Sequence, residues 1–88
     1  MGQPSSNTSS GIGVVDKSVA ILSSVAAGPR ALAELVETTA LPRATAHRLA
    51  VALETHRLLA RDADGRFVLG PRLAELAAAL PAPLVSKL

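Results

Sequence analysis

The sequence has no cysteine, no tryptophan and no tyrosine, and Phe67 is its only aromatic residue. The lack of cysteine excludes disulfides, thiolate zinc sites and cysteine nucleophiles. No apolar run approaches the roughly 18 residues that a membrane-spanning helix needs, and the first residues lack the pattern of a secretion signal. We therefore expect a soluble, cytoplasmic protein with no membrane contact.

What is present is largely aliphatic. Hydrophobic residues make up 49% of the chain, and Ala, Leu and Val supply most of them. A chain of 88 residues has room for one small domain. Because its core can contain only one aromatic ring, that core must be built from aliphatic helix faces, and the composition favours helices.

The positive charges are concentrated in the second half of the chain. The formal net charge is +2, while residues 42–72 contain six arginines against three acidic residues. A basic surface suits a polyanion, although many small basic domains bind no nucleic acid. The charge distribution therefore leaves both a nucleic acid and an acidic protein open as partners.

The chain is expected to begin with a disordered tail, followed by a helix. Residues 1–13 are rich in Ser, Gly, Asn and Thr and have little to bury. The first helix is predicted over residues 16–27, with Asp16 as its N-cap. Its apolar stripe would consist of Val19, Leu22, Val25 and Ala26.

Two more helices are predicted over residues 32–39 and 42–56. Pro42 suits the first helical position because its missing N–H would have no partner there. At helical spacing, the third helix divides into a core face and an outward face. The core face contains Ala46, Leu49, Ala50 and Leu53, and the outward face Ala44, His47, Arg48, Val51 and Thr55.

A β-hairpin and a fourth helix complete the pattern. Residues 58–61 and 66–69 are short apolar-rich runs, and the Asp64-Gly65 pair between them indicates a tight turn. The helix over residues 71–80 is expected to end before Pro81 and Pro83. Its apolar face would contain Leu73, Leu76, Ala77 and Leu80.

Three helices followed by a hairpin are typical of a winged helix-turn-helix, a mainly α fold with a small β-hairpin. We assign residues 1–13 to the tail, 14–70 to this DNA-binding domain and 71–88 to a linker helix with the end of the chain. In the fold the recognition helix, here 42–56, enters the major groove, and the wing, here 58–69, approaches the backbone or minor groove.

The candidate DNA contacts cluster in the first two turns of the third helix. Arginine bonds guanine or phosphate bidentately, and threonine reaches either through its hydroxyl. Arg48 could also be only a solvated charge, Thr45 could cap or pack, and His47 could have no role at all. The candidates on this helix are Arg43, Ala44, Thr45, His47 and Arg48.

Two further candidates lie outside the third helix. Arg66 follows the hairpin turn, where it either contacts a phosphate or pairs with Asp62 or Asp64. Lys17, at the start of the first helix, either reaches the DNA backbone or is solvated. Phe67 is predicted to fill the space between wing and core, since one ring cannot form a stacking surface for single strands.

Several segments resemble the N-terminal domain of IclR-family transcriptional regulators, most closely the actinobacterial branch that regulates leucine and other amino-acid biosynthesis. The matching residues, within 13–79, are Leu32-Ala-Glu-Leu, Leu41-Pro-Arg-Ala-Thr-Ala-His-Arg-Leu49, Ala52-Leu-Glu, Gly65-Arg-Phe-Val-Leu-Gly-Pro-Arg-Leu73 and Glu75-Leu-Ala.

The resemblance implies double-stranded DNA with a palindromic operator as the partner, contacted through Arg43, Thr45, Arg48 and the basic residue Lys17. It also implies a homodimer, often a tetramer in the full-length protein, held partly by the linker helix. A small-molecule effector would bind only through a C-terminal domain, which we expect to be missing here. The chain departs from the family at Ala31, where many members have Ser or Thr, and at Ala40, where many have Gly.

Two other functions were weighed. An enzyme is disfavoured, because His47 and Glu54 would be separated by a helical rise of ~10 Å, too far for an acid and base pair. No phosphate-binding glycine loop, nucleophile motif or metal spacing is present, so we expect no catalytic residue, metal or cofactor. The stronger rival is a winged helix that docks an acidic protein, which would show a shallow salt dependence with DNA.

Overall fold

A computed structural model describes residues 9–85, so the first eight residues of the expected tail lie outside it. The mainly helical winged helix-turn-helix predicted from the sequence is confirmed. In order along the described part of the chain, the elements are α1 (Gly13–Ala26), α2 (Leu32–Thr39), α3 (Arg43–Thr55), β1 (Leu59–Arg61), β2 (Phe67–Leu69), α4 (Pro71–Ala78) and α5 (Ala82–Val85).

Helix α1 begins earlier than predicted because Asp16 does not cap it. Ile12 holds the N-cap position, and Asp16 lies in the first turn. Its carboxylate accepts hydrogen bonds from the Ser10 hydroxyl at 2.6 Å, the Ser10 backbone N–H at 3.0 Å and the Ser9 hydroxyl at 3.1 Å. These bonds, that of the Ser10 hydroxyl foremost, lower the pKa of Asp16. Residues preceding the helix are thus bonded to its first turn.

The core lies between α1, α2, α3 and the wing. Phe67 is its largest buried side chain, which confirms its predicted place between wing and core. The predicted stripe of α1 was partly wrong: Val25 is buried and Leu22 packs against the core, but Val19 is 54% exposed and the buried Ile21 was not predicted. Apolar residues surround α1, so periodicity did not settle which face is covered. The buried residues are Ile21, Val25, Leu35, Ala46, Ala50, Leu53, Leu59 and Phe67.

A left-handed residue joins α2 to α3. Ala40 has φ 59° and ψ 20°, and its N–H donates to the Val36 carbonyl at 2.9 Å. This conformation costs a residue with a Cβ about 1–2 kcal/mol, a cost that the glycine found at this position in many family members avoids. Pro42 is the N-cap of α3 rather than its first residue, and its carbonyl accepts the N–H of Ala46.

The wing is attached to the rest of the domain on both sides. Its two strands, each one residue shorter than predicted, are antiparallel, and Gly65 has the positive φ of 78° that their turn requires. On the other side of β2, Phe67 exchanges two backbone hydrogen bonds with Arg30, at 2.7 and 3.0 Å. The strand register is Leu59↔Leu69, Ala60↔Val68 and Arg61↔Phe67.

Helix α4 leaves the wing at a crowded junction. A Cβ on Gly70 would overlap the Arg57 carbonyl oxygen, so only glycine fits without a shift. The Gly70 N–H donates to the Leu58 carbonyl at 2.9 Å, and the Arg72 N–H donates to the Arg57 carbonyl at 3.0 Å. Arg57 itself is left-handed, with φ 62°. The path of the chain into α4 is therefore set by backbone contacts.

Beyond this junction α4 is solvated, and none of its residues is buried. It ends at Ala78, two residues before the predicted end, and a short helix α5 follows where the prolines were expected to stop helical structure. Pro83 is tolerated because it lies in the first turn of α5, where proline removes no intrahelical hydrogen bond. Of the helices within residues 9–85, none has the length and apolar content needed to cross a bilayer.

Candidate nucleic-acid interface

Helix α3 turns one face to the core and the other to solvent. Ala46 and Ala50 are completely buried, and Leu53 is 9% exposed. Because these residues recur every three or four positions, the opposite side of the helix stays open. Of the predicted contacts, Ala44, His47 and Arg48 belong to the outward face and are exposed. Arg43 lies nearer the core face by helical spacing, but it is exposed because it is the first residue of the helix. Thr45 lies on the flank and is half-buried.

The start of α3 is electropositive. Neither Arg43 nor Arg48 forms a hydrogen bond or an ion pair with any residue that the structure describes. The first turns of α1 and α2 contain an acid, Asp16 and Glu34 respectively, but that of α3 contains none. The positive end of its helix dipole is therefore uncompensated by the first turn. Such a surface suits an anion.

Lys17 is exposed on α1 and likewise has no hydrogen bond or ion pair within the described residues. Arg30 donates to the Ser24 carbonyl at 3.0 Å, so the lysine and arginine side chains in residues 9–85 with neither a hydrogen bond nor an ion pair are Lys17, Arg43 and Arg48. All three were among the residues that the sequence suggested for DNA contact. Ala31, where the family favours a hydroxyl, begins α2 without a side-chain cap, and its own N–H donates to the Glu34 carboxylate at 2.7 Å.

Arg66 differs from these cations because it is paired within the wing. Its Nε donates to Asp62 at 3.2 Å, and its Nη2 donates to Asp64 at 3.3 Å. The backbone N–H groups of Arg66 and Asp64 also donate to Asp62, which, with Arg66 foremost, lowers the pKa of its carboxyl. Of the two alternatives that the sequence left for Arg66, the ion pair is present in the structure.

The other arginines of the wing and α4 are paired as well. Arg61 donates to Glu54 at 3.2 Å and lies over the Phe67 ring, 4.3 Å from its centroid. Glu75 accepts from Arg57 at 2.7 Å and from Arg72 at 2.9 Å, and these bonds, that of Arg57 first, lower the pKa of Glu75. These pairs were not predicted from the sequence. Only Arg72–Glu75, at helical i,i+3 spacing, was visible without the fold.

Comparison with known proteins places this geometry in a family. The family model of the IclR helix-turn-helix domain matches residues 14–63. An IclR homolog from Microbacterium sp. strain HM58-2 is 30% identical, with a TM-score of 0.69 over 74% of this chain and 28% of its own. A search of curated protein sequences gave no significant match.

Two other solved structures agree. An IclR-family transcriptional regulator from Rhodococcus sp. is 32% identical, with a TM-score of 0.67 over 92% of this chain and 34% of its own. The repressor BlcR of Agobacterium tumefaciens is 32% identical, with a TM-score of 0.68 over 80% and 30%. The chain thus spans about a third or less of the length of these proteins.

The matched region extends from α1 through the first strand of the wing, and it includes every predicted contact except Arg66. The family model covers more than half of the chain, and the structural neighbours are transcriptional regulators. The chain belongs to the IclR family and contains the helix-turn-helix domain through which these regulators bind DNA.

Proposed function

We propose that this domain binds double-stranded DNA sequence-specifically, with α3 in the major groove and the wing against the flanking backbone or minor groove. One observation carries the proposal: the first two turns of α3 expose Arg43 and Arg48, and both are unpaired within the described residues. These turns are the part of a recognition helix that reaches base edges.

The side chains of α3 differ in the DNA groups that they can contact. Arg43 and Arg48 form bidentate hydrogen bonds with guanine or phosphate. Thr45 and His47 donate to base edges or phosphates, and the methyl group of Ala44 contacts a thymine methyl. Exposed Lys17 contacts the phosphate backbone, and Arg66 approaches it from the wing. Residues 14–70 form the DNA-binding domain, and residues 71–88 are its linker.

The protein acts as a homodimer in the cytoplasm. Two copies place their α3 helices in successive major grooves about 34 Å apart, on a palindromic operator. The linker residues Leu73 and Leu80 are half-buried and Leu76 is 48% exposed, so this face has apolar area left for the same helix of a second copy. In the full-length regulator, a C-terminal domain binds a small-molecule effector, and the dimer assembles further into a tetramer.

Enrichment from a pool of random DNA duplexes at two salt concentrations tests the proposed function. A palindromic consensus with steep salt dependence is expected, because several phosphates are neutralised on binding. Salt-sensitive binding without a consensus would contradict sequence-specific recognition by this chain. Absence of DNA binding would favour the acidic protein partner instead.

The dimer has its own test. Leu76→Glu places a charge in the proposed apolar contact, so sedimentation equilibrium is expected to show a loss of dimer. Ala78→Glu, on the opposite side of α4 by helical spacing, is the matched control and should leave association unchanged. Monomeric wild-type protein at high concentration would contradict dimerisation through this helix.

A further inference from the structure

The tip of the wing contains three charged side chains in mutual contact. Asp62 and Asp64 both accept hydrogen bonds from Arg66, and the three groups carry a net charge of −1. A wing that contacts phosphate is expected to present a cation, yet the cation here is flanked by acids. The two carboxylates must therefore have a role that the DNA contact alone does not explain.

The two acids have different roles in the hairpin. One oxygen of Asp62 accepts the backbone N–H groups of Asp64 and Arg66, each at 2.9 Å, and its side chain is only 24% exposed. Asp62 thus shapes the turn itself. The Asp64 side chain is 76% exposed, and its one contact in the described residues is with the Arg66 guanidinium. The Asp64 carboxylate is therefore dispensable for the turn.

We propose that Asp64 is a positioning residue for Arg66, which holds the guanidinium on the wing tip and thereby weakens its contact with a DNA phosphate. The inference rests on the proposed function, in which the wing faces the duplex. When DNA approaches, Arg66 must exchange the Asp64 carboxylate for a phosphate oxygen. The wing consequently contributes less affinity than its arginine would supply unpaired.

The test is the salt dependence of DNA binding by an Asp64→Ser variant. Serine suits a turn, whereas asparagine before Gly65 is prone to deamidation back to an acid. Affinity for a duplex is expected to rise about two- to fivefold, the range associated with one exposed ion pair. The slope of log affinity against log salt should steepen by less than about 0.9, the value for one added phosphate contact, because the partial Arg66 contact of the wild type becomes complete.

The double variant Asp64→Ser with Arg66→Ala separates positioning from simple repulsion. It should bind like Arg66→Ala alone, because no guanidinium is left to be released. Glu37→Gln is the charge control: Glu37 is exposed on α2 and pairs with no residue in the described part of the chain. Its effect should be independent of Arg66.

An equal gain in the Arg66→Ala background would overturn the positioning role, and so would a gain without a change in slope. No gain, with wild-type DNA binding intact, overturns this inference and leaves the proposed function standing. If the wild-type protein does not bind DNA, both this inference and the proposed function are contradicted. If the amide spectrum shows that serine disturbs the hairpin, freshly prepared Asp64→Asn is measured against the same outcomes.

Discussion

Arginine occurs both at the start of α3 and in the segment from Arg57 through α4, but among the described residues its side chains are free in the first region and paired in the second. Arg43 and Arg48 at the start of α3 have no partner among the described residues. The remaining four arginines between residues 42 and 72 pair with acids: Arg61 with Glu54, Arg66 with Asp62 and Asp64, and Arg57 and Arg72 with Glu75.

The number of cations in a region does not by itself identify a DNA-binding surface. The four paired arginines of this region face four acids, so their charges cancel and the excess remains at the start of α3. An exposed ion pair contributes little to stability, but it lowers the availability of each guanidinium for a phosphate. Pairing, rather than charge density, separates the two regions.

The largest effect is expected at the junction that holds α4 in place. Gly70→Ala should lower the free energy of unfolding by about 3 kcal/mol or more, because its Cβ overlaps the Arg57 backbone, which cannot move as a side chain does. Urea denaturation measures the change. Gly13→Ala, where a Cβ meets nothing within 4 Å, should be neutral. Equal stability of both variants would show that the junction has room to relax.

Replacing one unpaired arginine and one paired arginine tests the comparison directly. Arg48→Ala should weaken operator binding by about 1–3 kcal/mol without changing the unfolding free energy, because its guanidinium has no partner among the described residues and is proposed to contact DNA. Arg72→Ala removes an exposed pair with Glu75 and should change neither quantity by more than about 0.5 kcal/mol. Fluorescence anisotropy with a labelled operator measures both. Similar losses in the two variants would refute the distinction.

The turn that presents α3 can be improved. Ala40→Gly should raise the free energy of unfolding by about 1 kcal/mol, because glycine adopts the left-handed conformation without the steric cost of a Cβ. Thermal denaturation followed by circular dichroism measures the shift. Ala27→Gly, at a right-handed helix end, is the control and should not stabilise. A loss of stability at position 40 would indicate that the turn relaxes in solution.

The smallest effect is expected at the wing tip. Arg66→Ala should weaken operator binding by no more than about 0.5 kcal/mol, well below Arg48→Ala, because part of its phosphate contact is offset by the acids that it leaves. The same anisotropy titration at low salt measures it. A loss as large as that of Arg48→Ala would show that the acids release Arg66 at no cost.

Much of the fold could be predicted because it depends on local chemistry. Pro42 marks the start of α3, the Asp64-Gly65 pair marks the hairpin turn, and the predicted ends of α3 and the strands lie within one residue of those observed. The glycine replaced at Ala40 pointed to a left-handed residue or a different turn, and the structure has the left-handed residue. Each of these features depends on neighbours in the chain, which a sequence displays.

The features that were missed depend on residues distant in sequence. Asp16 is a residue type that often caps a helix. Here Ser9 and Ser10 instead donate hydrogen bonds to its carboxylate, and the helix starts at Gly13. The Arg57–Glu75 pair joins positions that only the assembled wing brings together. For the candidate site, the sequence suggested the residues of α3, but it could not show which arginines had partners.

The two hydrogen bonds between Phe67 and Arg30 also bear on how the domain folds. A two-stranded hairpin by itself is at best marginally stable in water, and here the strand containing Phe67 is bonded to a residue from the connection between α1 and α2. This contact joins parts of the chain that are distant in sequence, so forming it costs the conformational entropy of the loop between them. We expect the Phe67 amide to exchange its hydrogen with solvent only when the whole domain unfolds. The wing is then a member of one cooperative unit, and a detached hairpin would not retain its shape.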